Sequence, residues 1–261
     1  MTEFTNRECE MRVAKISFSV PFLFFTLLAS IAPVSSAHAD SNALWKIVHG
    51  KCTADIRDHG LPAPCAVVSD KGRYAILKDR DGATQFLLIP TDKVTGIEDP
   101  AILKPDAPNY FDEAWANRHF VEDRLHKKLP REDIALAINS AYGRSQNQLH
   151  IHIDCVRPDV AAALKAHEGE IGLFPDKTIT LVLAGHSYRV GRIVGDSLAR
   201  SNPFALIAAA GTMAAQTIVV TGAHFRDGRD GFYLLNDHAG LLPPDHASGE
   251  ELEDHSCAIA G

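Results

Sequence analysis

The sequence predicts an α+β fold on three observations. Residues 146–156 alternate polar with apolar side chains, as a half-buried strand does. Residues 109–127 place Phe111, Trp115 and Phe120 at spacings that share one helical face. Turn signals such as Lys78-Asp79-Arg80-Asp81-Gly82 and Asp227-Gly228-Arg229-Asp230-Gly231 separate short apolar runs.

At the N-terminus, Arg7, Arg12 and Lys15 precede an apolar run over residues 16–32, and Ala37-His38-Ala39 offers small residues for cleavage before Asp40. That is the pattern of a secretory signal, and the run is also about the minimum for a membrane anchor. Residues 1–39 are therefore expected to export the rest of the chain. Removing them takes three basic residues and three acidic ones (Glu3, Glu8, Glu10), so the balance goes from 26 − 33 to 23 − 30 and stays at −7. A chain of that charge is a poor nucleic-acid partner.

Residues 42–50 read as a helix, and 73–78 with 85–90 as a hairpin about the 78–82 turn. Residues 109–127 and 131–141 read as two further helices. After Pro158 the pattern gives a helix over 160–167, a strand over 178–183, a second helix and a final hairpin around 227–231. Residues 204–220 are apolar, but Gly211 and Gln216 interrupt them and Thr217-Ile218-Val219-Val220 has strand character, so a buried helix followed by a strand is expected. Residues 243–261 are acidic and read as a loose tail. The exported part thus divides into residues 40–158 and a second α+β region, 159–261, packed on the first.

Loss of Cys9 with the leader leaves Cys52, Cys65, Cys155 and Cys257, an even number in an oxidising compartment. Three pairings are open, buried free thiols being the alternative. Cys52 with Cys65 closes the shortest loop.

A strand over 146–156 directs His150, His152 and Asp154 to one face and Leu149, Ile151, Ile153 and Cys155 to the core. Paired imidazoles suit nucleophilic attack on phosphorus or the binding of a metal. The preceding polar loop, residues 139–147, contains Gly143 and offers amide and side-chain donors to an anion. His186 sits at a strand end, where it either reaches a site or makes a structural hydrogen bond. Arg157 ends the strand and is a second phosphate candidate.

His150-Ile151-His152-Ile153-Asp154-Cys155-Val156 resembles the His-φ-His-φ-His-φ-φ signature of the histidine triad superfamily, with φ apolar and Asp154 in the last histidine's place. Asn139 and Gln146 stand at the offsets before His150 where that superfamily carries Asn and Gln. Gln85-Phe86-Leu87-Leu88-Ile89-Pro90-Thr91-Asp92-Lys93 resembles a second superfamily segment, with its histidines replaced by Gln85 and Lys93. Leu149–Ile153, Cys155-Val156-Arg157-Pro158-Asp159-Val160, Gly185-His186-Ser187-Tyr188 and the leader together resemble the CDP-diacylglycerol pyrophosphatase family.

The resemblance implies a HIT-like antiparallel sheet with packed helices over residues 40–158, with 159–261 as an extension. It implies hydrolysis of CDP-diacylglycerol at the membrane surface to CMP and phosphatidate, without cofactor or metal, and the periplasmic side of the inner membrane as the address of the exported chain. His152 would be the nucleophile and His150 its neighbour, with a register one step earlier making His150 the nucleophile instead. Asn139, Gln146 and Asn147 would hold phosphate oxygens, Lys93 and Arg144 would supply positive charge, and Asp154 would orient His152 or act as a proton donor. Superfamily members often form homodimers, so a dimer is expected. Two other readings stay open: a metal-dependent hydrolase in which His150, His152, Asp154 and Cys155 resemble the ligand run of metallo-β-lactamase-type enzymes, and a binding module that holds nucleotide or lipid without cleaving it.

Overall fold

A computed structural model describes residues 40–209 and 211–261, which form one compact unit. The leader lies outside the described residues, and no described helix is long and apolar enough to cross a membrane. Helices α1 (Ala43–Ile47) and α2 (Thr53–His59) are joined by a wider π-turn over Val48–Cys52, so the helix expected over 42–50 runs on for a further turn and more. The hairpin of β2 (Tyr74–Lys78) and β3 (Phe86–Pro90) lies where the turn signal put it, with β1 (Val67–Ser69) added at its edge.

The long helix expected over 109–127 is two short ones, α3 (Tyr110–Ala116) and α4 (His119–Leu125). Asn117 divides them, because its side chain bonds the Glu113 carbonyl at 2.8 Å and the Tyr74 hydroxyl at 2.9 Å, competing with the helix ladder. A larger correction concerns residues 131–141, which form a short 3-10 turn and then strand β4 (Ile134–Ile138). Every residue of β4 is buried, since it lies between two other strands. A continuous apolar run of that length has no periodicity to distinguish strand from helix.

The strand expected over 146–156 starts only at Ile151: β5 (Ile151–Val156) carries His152, His150 stands immediately before its first residue, and α5 (Pro158–Ala166) follows. Beyond it come β6 (Ile179–Leu183), β7 (His186–Val194), α6 (Pro203–Ala208), β8 (Gln216–His224) and β9 (Asp230–His238). The sequence patterns did not separate β7, because its connection to β6 is the Ala184-Gly185 turn, with φ of 51° and 94°. Two consecutive positive φ values make a tight hairpin, and an alanine at the first is not a turn signal.

All these strands share one antiparallel sheet in the order β1-β2-β3-β5-β4-β8-β9-β7-β6. On one face Leu136, Ile151, Ile153 and Cys155 meet Phe111, Trp115 and Phe204 from α3 and α6. On the other face, two apolar patches flank β5. Leu77, Leu87 and Ile89 are covered by Val48 and Cys52, and Ala135, Ala137 and Val219 join Val160 and Leu164 of α5. His152 lies between them, opposite Leu87 on β3 and Ala137 on β4.

Residues 243–261 are not a loose tail. They hold β11 (Pro244–Asp245), which pairs with β10 (Gly240–Leu241), then a 3-10 turn over Gly249–Leu252 and β12 (Glu253–Asp254), which pairs with the end of β5. This strap is tied down by Ser140 N–H to the Ala247 carbonyl at 3.0 Å, Arg157 N–H to the Leu252 carbonyl at 3.0 Å, and Ala83 N–H to the His255 carbonyl at 3.1 Å. It lies so close to β8 that a Cβ on Gly249 would come 2.6 Å from the Thr217 hydroxyl oxygen.

Two disulfides complete the frame, Cys52–Cys65 as expected and Cys155–Cys257 from β5 to the end of the strap. The second spans 102 residues, and a loop that long gives a chain-entropy stabilisation of about 4–5 kcal/mol. Cys257→Ala is therefore expected to lower the unfolding free energy by about 2–5 kcal/mol in denaturant titrations. It should also raise amide exchange across residues 249–257 first.

Candidate active site

His152 on β5 and His150 just before it lie side by side with ring centroids 4.9 Å apart, and both are nearly inaccessible to solvent, at 7% for His150 and 4% for His152. They line a cavity of about 580 Å³ with Asn139, Gly143, Gln146, Leu77, Leu87 and Glu250. The His150 Nδ1 stands 2.8 Å from the Gln148 carbonyl, which fixes its proton there and leaves Nε2 as the acceptor nitrogen. Burial pushes the pKa of His150 down, against the Gln148 hydrogen bond. Burial likewise pushes His152 down, to about 3, in spite of the opposing charge of Glu250. Both rings are neutral at physiological pH.

The His152 Nδ1 lies 2.8 Å from the Gln85 carboxamide nitrogen, and its Nε2 lies 3.5 Å from Glu250 Oε2. Glu250 is the centre of the polar arrangement. It accepts from Asn139 Nδ2 and Gln85 Nε2, each at 3.2 Å, its own amide donates to Asn139 Oδ1 at 3.1 Å, and His255 Nε2 stands 3.4 Å away. Burial opposes charge on this carboxylate, but the His255, Gln85 and Asn139 hydrogen bonds and His152 carry its pKa well below the usual carboxylate range. The protein thus holds an anion of its own in a ring of donors next to a neutral imidazole.

Asp154 is fully buried and does not touch His152. Its Oδ1 accepts from the Thr84 hydroxyl at 2.5 Å and from the Cys155 amide at 2.9 Å, while Oδ2 is 2.8 Å from His255 Nδ1. The Asp154 and Glu250 hydrogen bonds raise His255 to about 10, so a protonated imidazole stands beside Glu250 Oε1, the oxygen other than the one nearest His152. Asp154, expected to orient His152 or act as a proton donor, instead pairs with a cation supplied from the strap.

The remaining expected residues divide. Asn139 and Gln146 line the cavity, although Gln146 spends its carboxamide on the Leu44 amide at 3.2 Å and the Asp40 carbonyl at 3.1 Å. Asn147 is exposed and bonds Ser41 through its own amide at 2.6 Å. Arg144 makes a two-pronged pair with Glu98 at 2.5 and 2.6 Å, which occupies its charge. Lys93 stands over the Trp45 ring at 5.9 Å and lines a different hollow. His186 and Arg157 do not line the histidine cavity either. Gln85, Glu250 and His255 belong to the site, and sequence patterns did not place the last two there. Glu250-Glu251-Leu252-Glu253-Asp254-His255 reads as a solvated acidic tail, and only Cys257 signalled that this segment is tied to the core.

Residues 39–261 match the sequence model of a family described as CDP-diacylglycerol pyrophosphatase. A CDP-diacylglycerol pyrophosphatase of Yersinia pestis is 38% identical over 249 residues, covering 93% of this chain and 94% of that protein. The chain belongs to the CDP-diacylglycerol pyrophosphatase family. It is accordingly a hydrolase-family protein, and the family match takes in the strap as well as the histidine strand. The disulfide of Cys155 removes that residue from any metal ligand set built on the histidines, which disfavours the metal-dependent reading.

Proposed function

We propose that this protein cleaves the pyrophosphate of CDP-diacylglycerol through a nucleotidyl intermediate on His152, in the manner of the histidine triad superfamily. The observation that carries the reading is a buried, neutral His152 beside donors that already hold an anion. An incoming phosphate competes with Glu250 for Asn139 and for the protonated His255. Attack from Nε2 needs the ring proton on Nδ1. A half-turn of the Gln85 carboxamide provides for it once Glu250 has given way to the phosphate, because Gln85 Oε1, without a hydrogen-bond partner in the resting arrangement, would then accept a hydrogen bond from Nδ1–H while the Gln85 Nε2 bond to Glu250 is given up.

The His152 nitrogen then bonds the cytidine-side phosphorus as the bond from that phosphorus to the bridging oxygen breaks. Phosphatidate leaves with the bridging oxygen, and the His255 cation faces the charge that develops. Water next breaks the phosphorus–nitrogen bond, yielding CMP and regenerating the neutral ring. Turnover in heavy-oxygen water tests the side of attack. The label is expected in CMP, and label confined to phosphatidate would place attack on the lipid-side phosphorus and rule out a nucleotidyl-His152.

The same reading places the protein against a membrane surface, where its two-chain substrate resides. Leu241 and Leu242, 89% and 94% exposed, stand at the turn between β10 and β11, where the chain enters the strap that carries Glu250 and His255. Burying two leucine side chains in lipid contributes about 3–6 kcal/mol at most. Changing both to Asp is expected to lower co-sedimentation with CDP-diacylglycerol vesicles at least about tenfold. Hydrolysis of a short-chain, dispersed substrate should stay within about twofold of wild type; equal vesicle binding would remove the turn from this role.

A further inference from the structure

At the far side of the strap, His186 at the start of β7, Asp237 near the end of β9 and Asp245 on β11 converge, each offering a ligand atom within 4.8 Å of the others. His186 Nδ1 is 3.7 Å from Asp245 Oδ1 and 2.8 Å from Glu251 Oε1, which also accepts from the Tyr188 hydroxyl at 2.6 Å. Asp237 is only 5% exposed. Its Oδ1 accepts the His238 amide at 2.7 Å, but its buried Oδ2 has no hydrogen-bond partner and its carboxyl group faces that of Asp245. Among the described residues, no lysine or arginine forms an ion pair with Asp237, Asp245 or Glu251, and His186 is the partner of the last two.

Carboxyl groups forced together in a buried place need something positive between them, either a shared proton or a cation. One imidazole nitrogen with carboxylate oxygens is a ligand set for a transition-type divalent ion. Zinc bonds of about 2.0–2.2 Å put neighbouring tetrahedral ligands roughly 3.3–3.6 Å apart, so the 3.7 Å spacing already fits and the widest one must close by about 1 Å. The side chains of His186 and Asp245 are 33% and 13% exposed, which gives the ion a way in.

We infer that His186, Asp237 and Asp245, with Glu251 as a fourth donor, form a binding site for a zinc-type divalent cation. Such an ion would clamp the strap to β7 and β9. Because Glu251 adjoins Glu250, it would also hold the carboxylate that faces His152 in place. The inference does not depend on the proposed reaction.

The test uses the full-length exported chain, freed of metal by chelation and titrated with zinc chloride in a calorimeter. Variants His150→Gln/His152→Gln and Asp237→Asn/Asp245→Asn run alongside it. One zinc per chain is expected for wild type and for the histidine-strand variant, with affinity at least tenfold weaker in the aspartate variant. Zinc should also slow amide exchange over residues 243–252 in the first two proteins only. A stoichiometry lost with the strand histidines would move the ion to the other cavity and overturn the inference. So would equal binding by the aspartate variant, equal affinity for magnesium, or no saturable binding, the last leaving a shared proton between the carboxyls. Since Asp237→Asn/Asp245→Asn relieves the repulsion, a folded variant with raised melting temperature and no zinc response is the expected control.

Discussion

His152→Ala is expected to lower the rate of CMP release from CDP-diacylglycerol by about 10³–10⁶-fold, with KM changed far less, because a nucleophile acts in the transition state and not in binding. The neighbouring His150→Ala should cost much less, since the His150 ring borders the proposed nucleophile at 4.9 Å between centroids and its Nδ1 is held by a backbone carbonyl. Single-turnover assays read both. The reverse ranking would transfer the nucleophile to His150 and the alternative register. Because burial takes His152 down to about 3, the ring is already neutral above about pH 4. Activity should therefore show no loss near pH 6.5, where an exposed histidine nucleophile would begin to protonate.

The second large effect belongs to Asp154. Asp154→Asn removes the largest source of the raised His255 pKa, so that pKa is expected to fall from about 10 toward the ordinary imidazole range. Near pH 8.5 the variant would then lack the cation that wild type retains, and kcat should drop by about 10²-fold, while near pH 6 the two proteins draw together. The sign for folding is the same. A histidine whose folded pKa is raised adds stability in full below about 6.5 and loses it as pH rises through about 10, so the Asn variant should lose its advantage at a lower pH. A pH–rate profile whose alkaline limb does not move would show that His255 carries no charge needed for turnover.

Much of the fold was legible because periodicity and turn residues act locally. The β2–β3 hairpin, the β8–β9 hairpin, α5, α6 and the histidine strand all declare themselves through alternation, a Gly-containing turn or a Pro at a helix start. What failed had a neighbour-dependent cause. β4 is apolar throughout because strands flank it on both sides, and the helix over 109–127 breaks because Asn117 finds Tyr74, 43 residues away in the chain. The strap looked disordered because acidic residues dominate it, yet Leu252 and Cys257 are buried, Glu250 reaches the cavity beside His152 and His255 pairs with Glu250 and Asp154.

By itself the sequence determined that His150 and His152 stand two residues apart in an alternating segment, that Asn139 stands a fixed distance upstream, and that an even number of cysteines, four, follows residue 39. These follow from spacing along a single segment or from counting. Only the tertiary structure decided which charges serve the site. Arg144 and Lys93 are local candidates whose partners, Glu98 and Trp45, turn them elsewhere. Asp154 acquires its meaning from His255, 101 residues later. The reason is physical: a side chain's charge state and direction depend on what buries it and what bonds it, and those partners come from chain segments that no local pattern connects.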